Sequence, residues 1–157
     1  MLFASGFASV ALGVARSSLD LAISLAIAKK PQRDVALLRD RPVIHRSLGQ
    51  AEAIWGAAHA LLIEAAKEAW DSAHTNHSLT TEHRIRLRLA ATHAIRTAAE
   101  VTDMAYNIAG SDAIFTGNPI QRKFQDSHAI TQQIQGRMTH YETAGQFLLG
   151  LVPEGDF

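Results

Sequence analysis

Residues 81–109, TEHRIRLRLAATHAIRTAAEVTDMAYNIA, decide the fold. Thr80-Thr81-Glu82-His83 has the composition of a helix entry, a hydroxyl cap followed by an acidic residue in the first turn. Beyond it the apolar and small residues fall on two sides of a helix. Ile85, Leu89, Ile95 and Ala99 mark one side; Leu87, Ala91, Ala94, Ala98 and Val101 mark another. A helix that is apolar on two sides needs more than one covering neighbour. Arg84, Arg86 and Arg88 point to different faces, so they form no single basic stripe. A solvated first turn or pairing between subunits accounts for them better than nucleic acid does.

Those neighbours are present on either side. A helix is expected from residue 2 to about 28, stopping before Lys29-Lys30-Pro31, where two basic residues meet a helix breaker. The charged stretch 32–42, QRDVALLRDRP, reads as a connector. A second helix is expected over about 43–73, where Trp55, Ala58, Leu62, Ala65, Ala66 and Ala69 recur at three and four. HTNHSL, at 74–79, reads as a polar loop before the central helix. After it comes a glycine-bearing loop, GSDAIFTGN at 110–118. Pro119 then opens a last helix expected to run to about 148, through Ile130, Ile134, Met138, Tyr141, Ala144 and Leu148, with a kink at Gly136. Strand signals are missing: there are no alternating Val/Ile/Thr runs and no hairpin dipeptides. The expected architecture is all-α, an antiparallel four-helix bundle formed by the 157 residues as one domain.

Composition narrows the function. Apolar residues make up 47% of the chain and charged residues 19%, a globular balance. Fifteen basic residues cancel fifteen acidic ones, so no overall field draws nucleic acid or anionic lipid. The absence of cysteine excludes disulfides and thiolate chemistry and agrees with a cytoplasmic location. The apolar N-terminal run lacks the basic residues that precede a signal sequence's centre. Arg16 and Asp20 interrupt it before it reaches the ~20 apolar residues of a membrane span. A chain that begins inside an apolar helix with no cap before it has the look of a fragment.

Familiar site signatures are missing. No Glu-x-x-His of the di-iron bundles occurs, and the one His-x-x-His, His74 to His77, falls in the expected loop. Neither a nucleophile elbow nor a glycine-rich phosphate loop is present. What remains is the stretch DSHAITQQ at 126–133, a carboxylate, an imidazole and two adjacent amides on an otherwise apolar helix. His128 and Gln132 share a face at i,i+4, with Asp126 and Gln133 elsewhere. Three readings of it stand: a solvated face, the lining of a cofactor cavity, or the remains of a catalytic site. Arg122 and Asp126 are spaced to pair along the helix, and Trp55 and Trp70 suit the core or an interface.

The run AGSDAIFTGNPIQRKFQD at 109–126 resembles a segment of the acyl-CoA dehydrogenase superfamily. There a Gly-Gly loop precedes Pro-x-x-Arg-x-x-Arg-Asp at the start of a late helix of the C-terminal bundle. Gly110, Pro119, Arg122 and Asp126 match, with Gln125 where the second Arg stands. GVARSSLD at 13–20 is similar to the first helix of that bundle, and LRLAATHA at 87–94 to its third. The likeness runs in order along essentially the whole chain. It lies nearest the branch of flavin-dependent monooxygenases acting on phenols, steroid-ring phenols and dibenzothiophene, whose late helix reads Arg-Asp-x-His-x-x-x-Gln-His.

The resemblance implies a C-terminal domain that helps bind FAD or reduced flavin and forms the core of a dimer or tetramer. The family's N-terminal helical and β-barrel domains would lie outside this chain, and the complete enzyme would act on a small molecule. It implies cofactor-contacting positions at Lys29, Gly110 and Gln133, and candidates near the flavin at His128, Gln132 and Gln133. The final His of the pattern, an acid/base in that branch, is Gln133 here. The glutamate of the classical dehydrogenases would fall near Ile134. An amide donates and accepts hydrogen bonds but carries no proton to and fro near neutral pH.

Overall fold

The structure is a computed structural model that describes residues 2–32 and 35–155. Its α-helices are α1 (Leu2–Ala28), α2 (Pro42–Asn76), α3 (Thr81–Ala109), α4 (Pro119–Thr131) and α5 (Thr139–Leu148). Three short 3-10 turns lie between them, at Leu38–Asp40, Gly110–Ile114 and Ile134–Gly136. No strand occurs among the described residues, so the expected all-α bundle stands.

The middle of the bundle is α3, sixteen of whose twenty-nine residues are buried. It packs chiefly on α1 and α2, and its remaining surface takes α4 and α5. Alanine makes that closeness possible. Ala4, Ala8, Ala11, Ala15 and Leu19 of α1 meet Ala90, Ala91, Ala94, Ala98 and Val101 of α3 in one core cluster. These side chains bring the two backbones near each other and lose almost no rotamer entropy on burial. A second cluster closes the far end, where Ala22, Ala26, Leu38, Ile44, Ala105, Ile108 and Ile120 gather. Successive long helices run antiparallel, yet the closely packed α1 and α3 are parallel. Their C-terminal ends meet where Lys29 Nζ donates to Ala109 O at 2.9 Å.

Local chemistry sets most boundaries. Thr80 caps α3 by accepting from His83 N at 3.2 Å, and Asn118 caps α4 by accepting from Ile120 N at 2.9 Å. Pro42 and Pro119 open their helices at positions where no N–H is required. Two expectations need correction. The second helix continues through His74 to Asn76 and ends on His77 in the left-handed conformation, so half of the expected loop is helical. Ser72 explains part of this, because its hydroxyl donates to Ser78 O and folds the chain back after the last turn. The connector at 32–42 carries a 3-10 turn with Leu38 buried in the core. Residues 33 and 34 of that connector lie outside the described set.

By length and composition α1 is apolar enough to cross a membrane over Phe3–Ala28, at mean hydropathy 1.6. Its two charges are built into the bundle instead. Arg16 bonds Asp20 on its own helix and Glu52 on α2, both at 2.8 Å, and its guanidinium lies 5.4 Å from the centre of the Trp55 ring. Burial acts to lower the Arg16 pKa, but the two carboxylates more than offset it and the net direction is upward.

Candidate functional site

The largest departure from expectation lies at the stretch that raised the question of function. The last helix does not run to residue 148; α4 ends at Thr131, and Gln132 and Gln133 stand outside it. Gln133 is extended, at φ −72° and ψ 149°, and begins the 3-10 turn Ile134–Gly136. A kink was expected at Gly136, and a complete break is found. A Cβ on Gly136 would lie 3.0 Å from both Ile95 Cγ2 and Thr131 O, so only glycine lets the turn press this closely on α3. The chain then re-enters a helix as α5, and His140 Nε2 bonds back to Ile134 O at 2.8 Å.

Within DSHAITQQ the residues part company. Asp126 pairs with Arg122 at 3.0 Å along α4, as its spacing suggests. His128 crosses to α3, where Nε2 meets Asp103 Oδ1 at 2.8 Å, and its ring lies against Phe124. Both members of that pair are nearly half exposed. Gln132 is exposed, and its side-chain nitrogen donates to Thr131 Oγ1 at 3.1 Å. Gln132 is the C-terminal cap of α4, still in the right-handed helical conformation, and its side chain turns to Thr131 while that of His128 turns to Asp103. Gln133 turns its side-chain oxygen onto its own turn, accepting from Gln135 N at 2.7 Å.

The other proposed cofactor positions form a separate corner. Lys29 Nζ binds Ala109 O and lies 3.0 Å from Asp112 Oδ2. Gly110 follows directly, with φ 62° and ψ −139°, a conformation open to glycine and strained for other residues. It is exposed, and nothing lies within 4 Å of the place a Cβ would take. Lys29 and Gly110 are thus brought together at one end of the bundle. Gln133 is not with them. The turn meets α3 at the level of Thr92 and the corner meets it at Ala109, seventeen residues and about 25 Å further along the axis.

The sequence did not single out the residues that hold the turn. Arg88 was expected on a solvated first turn or in pairing between subunits, but it is 8% exposed and its Nη1 donates to Gln135 Oε1 within the chain. Thr92 donates to Gln135 O at 3.2 Å, and Arg96 Nε donates to Gly136 O at 2.7 Å. Arg88, Thr92 and Arg96 lie four apart, which was visible, but no sequence signal said what they face. Arg86 pairs instead with Glu64 and Glu68 of α2. Trp55 is half-buried and donates to Leu12 O at 3.0 Å, whereas Trp70 is 72% exposed. His74 and His77 are exposed, and no group of three metal-ligating side chains occurs among the described residues.

Residues 5–136 match the acyl-CoA dehydrogenase C-terminal domain, and the chain belongs to that family. Within it, the chain is 32% identical over 145 residues to indole-3-acetate monooxygenase of Pseudomonas putida, and 31% over 144 residues to the Acinetobacter baumannii protein of the same name. Each alignment takes in 92% of this chain and 37% of the relative, so the chain spans little more than a third of their length. Among solved structures, XiaF from Streptomyces sp., in complex with FADH2 and glycerol, superposes with a TM-score of 0.90 at 22% identity. That match covers 98% of this chain and 39% of XiaF. The HsaA monooxygenase from M. tuberculosis gives 0.85 at 19%, covering 98% and 39%. At these identities the two structures establish the fold.

Proposed function

We propose that the chain is the C-terminal helical bundle of a flavin-dependent oxidoreductase, nearest the monooxygenase-like branch, and that it serves flavin binding and self-association. The observation that carries this is the near-complete alignment, over 92% of the chain, with relatives named as monooxygenases. In the complete protein, N-terminal helical and β-barrel domains would supply the rest of the site, and the substrate would be a small molecule. A cytoplasmic location goes with this reading.

The residues fit a flavin in part. At one corner Gly110 leaves its backbone open to close approach, and Lys29 has one ammonium donor beyond the two its partners use. At the other end Gln133 presents its NH2 group. Some 25 Å of helix lies between the two, by about 1.5 Å per residue, so they address different parts of an extended cofactor or different copies of it. Flavin supplies the redox chemistry when bound. The residues of this chain would contribute a cation and open backbone at one end. At the other they contribute amide donors, with His128 held in orientation by Asp103.

Self-association as a dimer or tetramer is supported by the outer face of α1. Phe3, Phe7 and Val10 are 79%, 37% and 60% exposed there and line one apolar hollow with Ile130. Light scattering tests this: a strict monomer at high concentration would count against the bundle-core role. Titration with FAD tests the cofactor reading. The isolated chain should bind weakly, and joining it to the upstream β-barrel domain should bring micromolar affinity and a perturbed flavin spectrum. No gain from the joined domains would sink the proposal.

A second reading, a non-catalytic helical oligomerisation module, is favoured by Gln133 standing where the branch has its His, and by the exposed Ile134 beside it. A coding region upstream with an in-frame β-barrel speaks for the enzyme. A genuine start at Met1 speaks for the module.

A further inference from the structure

The break after α4 is held by more bonds than a surface turn needs. Gln135 is gripped at three points: its side chain by Arg88, its carbonyl by Thr92 and its N–H by the Gln133 oxygen. Arg96 takes the next carbonyl, that of Gly136, and Ile95 stands against that residue's Cα. Arg88, Thr92 and Arg96 are successive steps of one row on α3, which is buried among alanines on its other sides. A charged donor on a carbonyl is stronger than a neutral one, and two of the three donors are guanidinium groups. The turn is therefore referenced to α3, the most buried helix of the bundle.

We infer that Arg88, Thr92 and Arg96 are positioning residues for the Gln133 amide, and that they fix it as a hydrogen-bond donor toward an acceptor oxygen in the flavin site. The oxygen of Gln133 is committed to Gln135 N, so the NH2 is the end left for a ligand. Among the described residues that nitrogen has no hydrogen-bond partner. The family pattern places a proton-carrying imidazole at this position. The turn instead holds a group that offers hydrogens and keeps them. The donor role rests on the flavin reading above; the positioning role does not.

The test has two arms. In the 15N-labelled chain, amide exchange at Gln135 reports the bond to Gln133, and Val101 in the core serves as reference. Thr92→Val removes a donor at nearly constant shape, and Arg96→Met removes the bond to Gly136. Each is expected to speed exchange at Gln135 on the order of tenfold without moving Val101, and to shift the Gln133 NH2 resonances. Arg96→Lys, which keeps a cationic donor, should recover most of the protection. Unchanged exchange at Gln135 in both the Thr92→Val and Arg96→Met chains would overturn the positioning role. So would a Thr92→Val loss that spreads equally to Val101.

The second arm uses the flavin-loaded protein that carries this domain. There Arg96→Met should lower kcat about tenfold with KM within about twofold, and Arg96→Lys should restore it. A loss carried wholly by KM would overturn the donor role. A first arm that succeeds beside a protein that takes up no flavin would refute the flavin reading and leave the positioning intact.

Discussion

Two sides of α3 solve the same packing problem by opposite means. Toward α1 it offers alanines, and the contact is close and apolar. Toward the 134–136 turn it offers Arg88, Thr92 and Arg96, and the contact is made of donors meeting carbonyls. The alanine seam is tolerant of direction and intolerant of volume. The polar seam is the reverse: it fixes where each atom of the turn goes, at a cost in desolvated charge. A domain that needs a firm scaffold and a placed side chain uses the first for the scaffold and the second for the placement.

That contrast is open to direct attack. Ala94 is fully buried, so Ala94→Leu should overpack the alanine seam and cost about 3 kcal/mol in urea unfolding, the largest effect expected. A cost under about 1 kcal/mol would show that the seam can part, and would break the comparison. Gly136→Ala adds one methyl at the point where the polar seam closes, 3.0 Å from Ile95 Cγ2 and Thr131 O. Because one methyl adds less volume than the three carbons of Ala94→Leu, a smaller cost of about 2 kcal/mol is expected by thermal denaturation, with the loss of structure centred on α5.

Asp103→Asn removes the charge that faces His128 on the same polar side. Both groups are nearly half exposed, so the loss should be no more than about 0.5 kcal/mol and should shrink further in 0.5 M salt. A cost that is large and indifferent to salt would mean the pair is shielded more than its exposure shows. The smallest effect concerns Tyr141, whose hydroxyl pKa is pushed up by burial, with the charge of Arg96 pulling the other way. A neutral phenol favoured by the fold gives stability that is complete below the ordinary tyrosine pKa, about 10, and is lost as pH rises through the higher folded value. Tyr141→Phe should flatten that alkaline decline, followed by circular dichroism from pH 8 to 11.

The sequence carried the scaffold well and the turn poorly, and the physical reason is the same contrast. Helical spacing of apolar residues reports which face is buried, so the ends of α1 and α3 and the two-sided nature of α3 were legible. So were the Thr80 and Pro119 starts and the Arg122–Asp126 pair, which rest on neighbours in sequence. The break at Gln132 was not. It depends on Arg88, Thr92 and Arg96, some forty residues away, and on the space beside a single glycine. Apolar spacing runs straight through residues 130–148 and hides it. For the candidate site, family likeness assigned Lys29 and Gly110 a cofactor contact each; that the two lie together at one corner was not foreseen. His128, Gln132 and Gln133 share a stretch of chain but point to three different partners.

Lys29 also answers a difficulty that the parallel packing of α1 and α3 creates. Each helix carries a macrodipole with about half a negative charge at its C-terminus, and here two such ends are brought side by side. Antiparallel neighbours would have set opposite ends together and needed nothing. One ammonium, bonded to the last carbonyl of α3 and lying just beyond the end of α1, serves both ends at once. Asp112 keeps it there. A modification that took away its charge, such as acetylation, would leave both ends uncompensated and loosen the corner that carries Gly110.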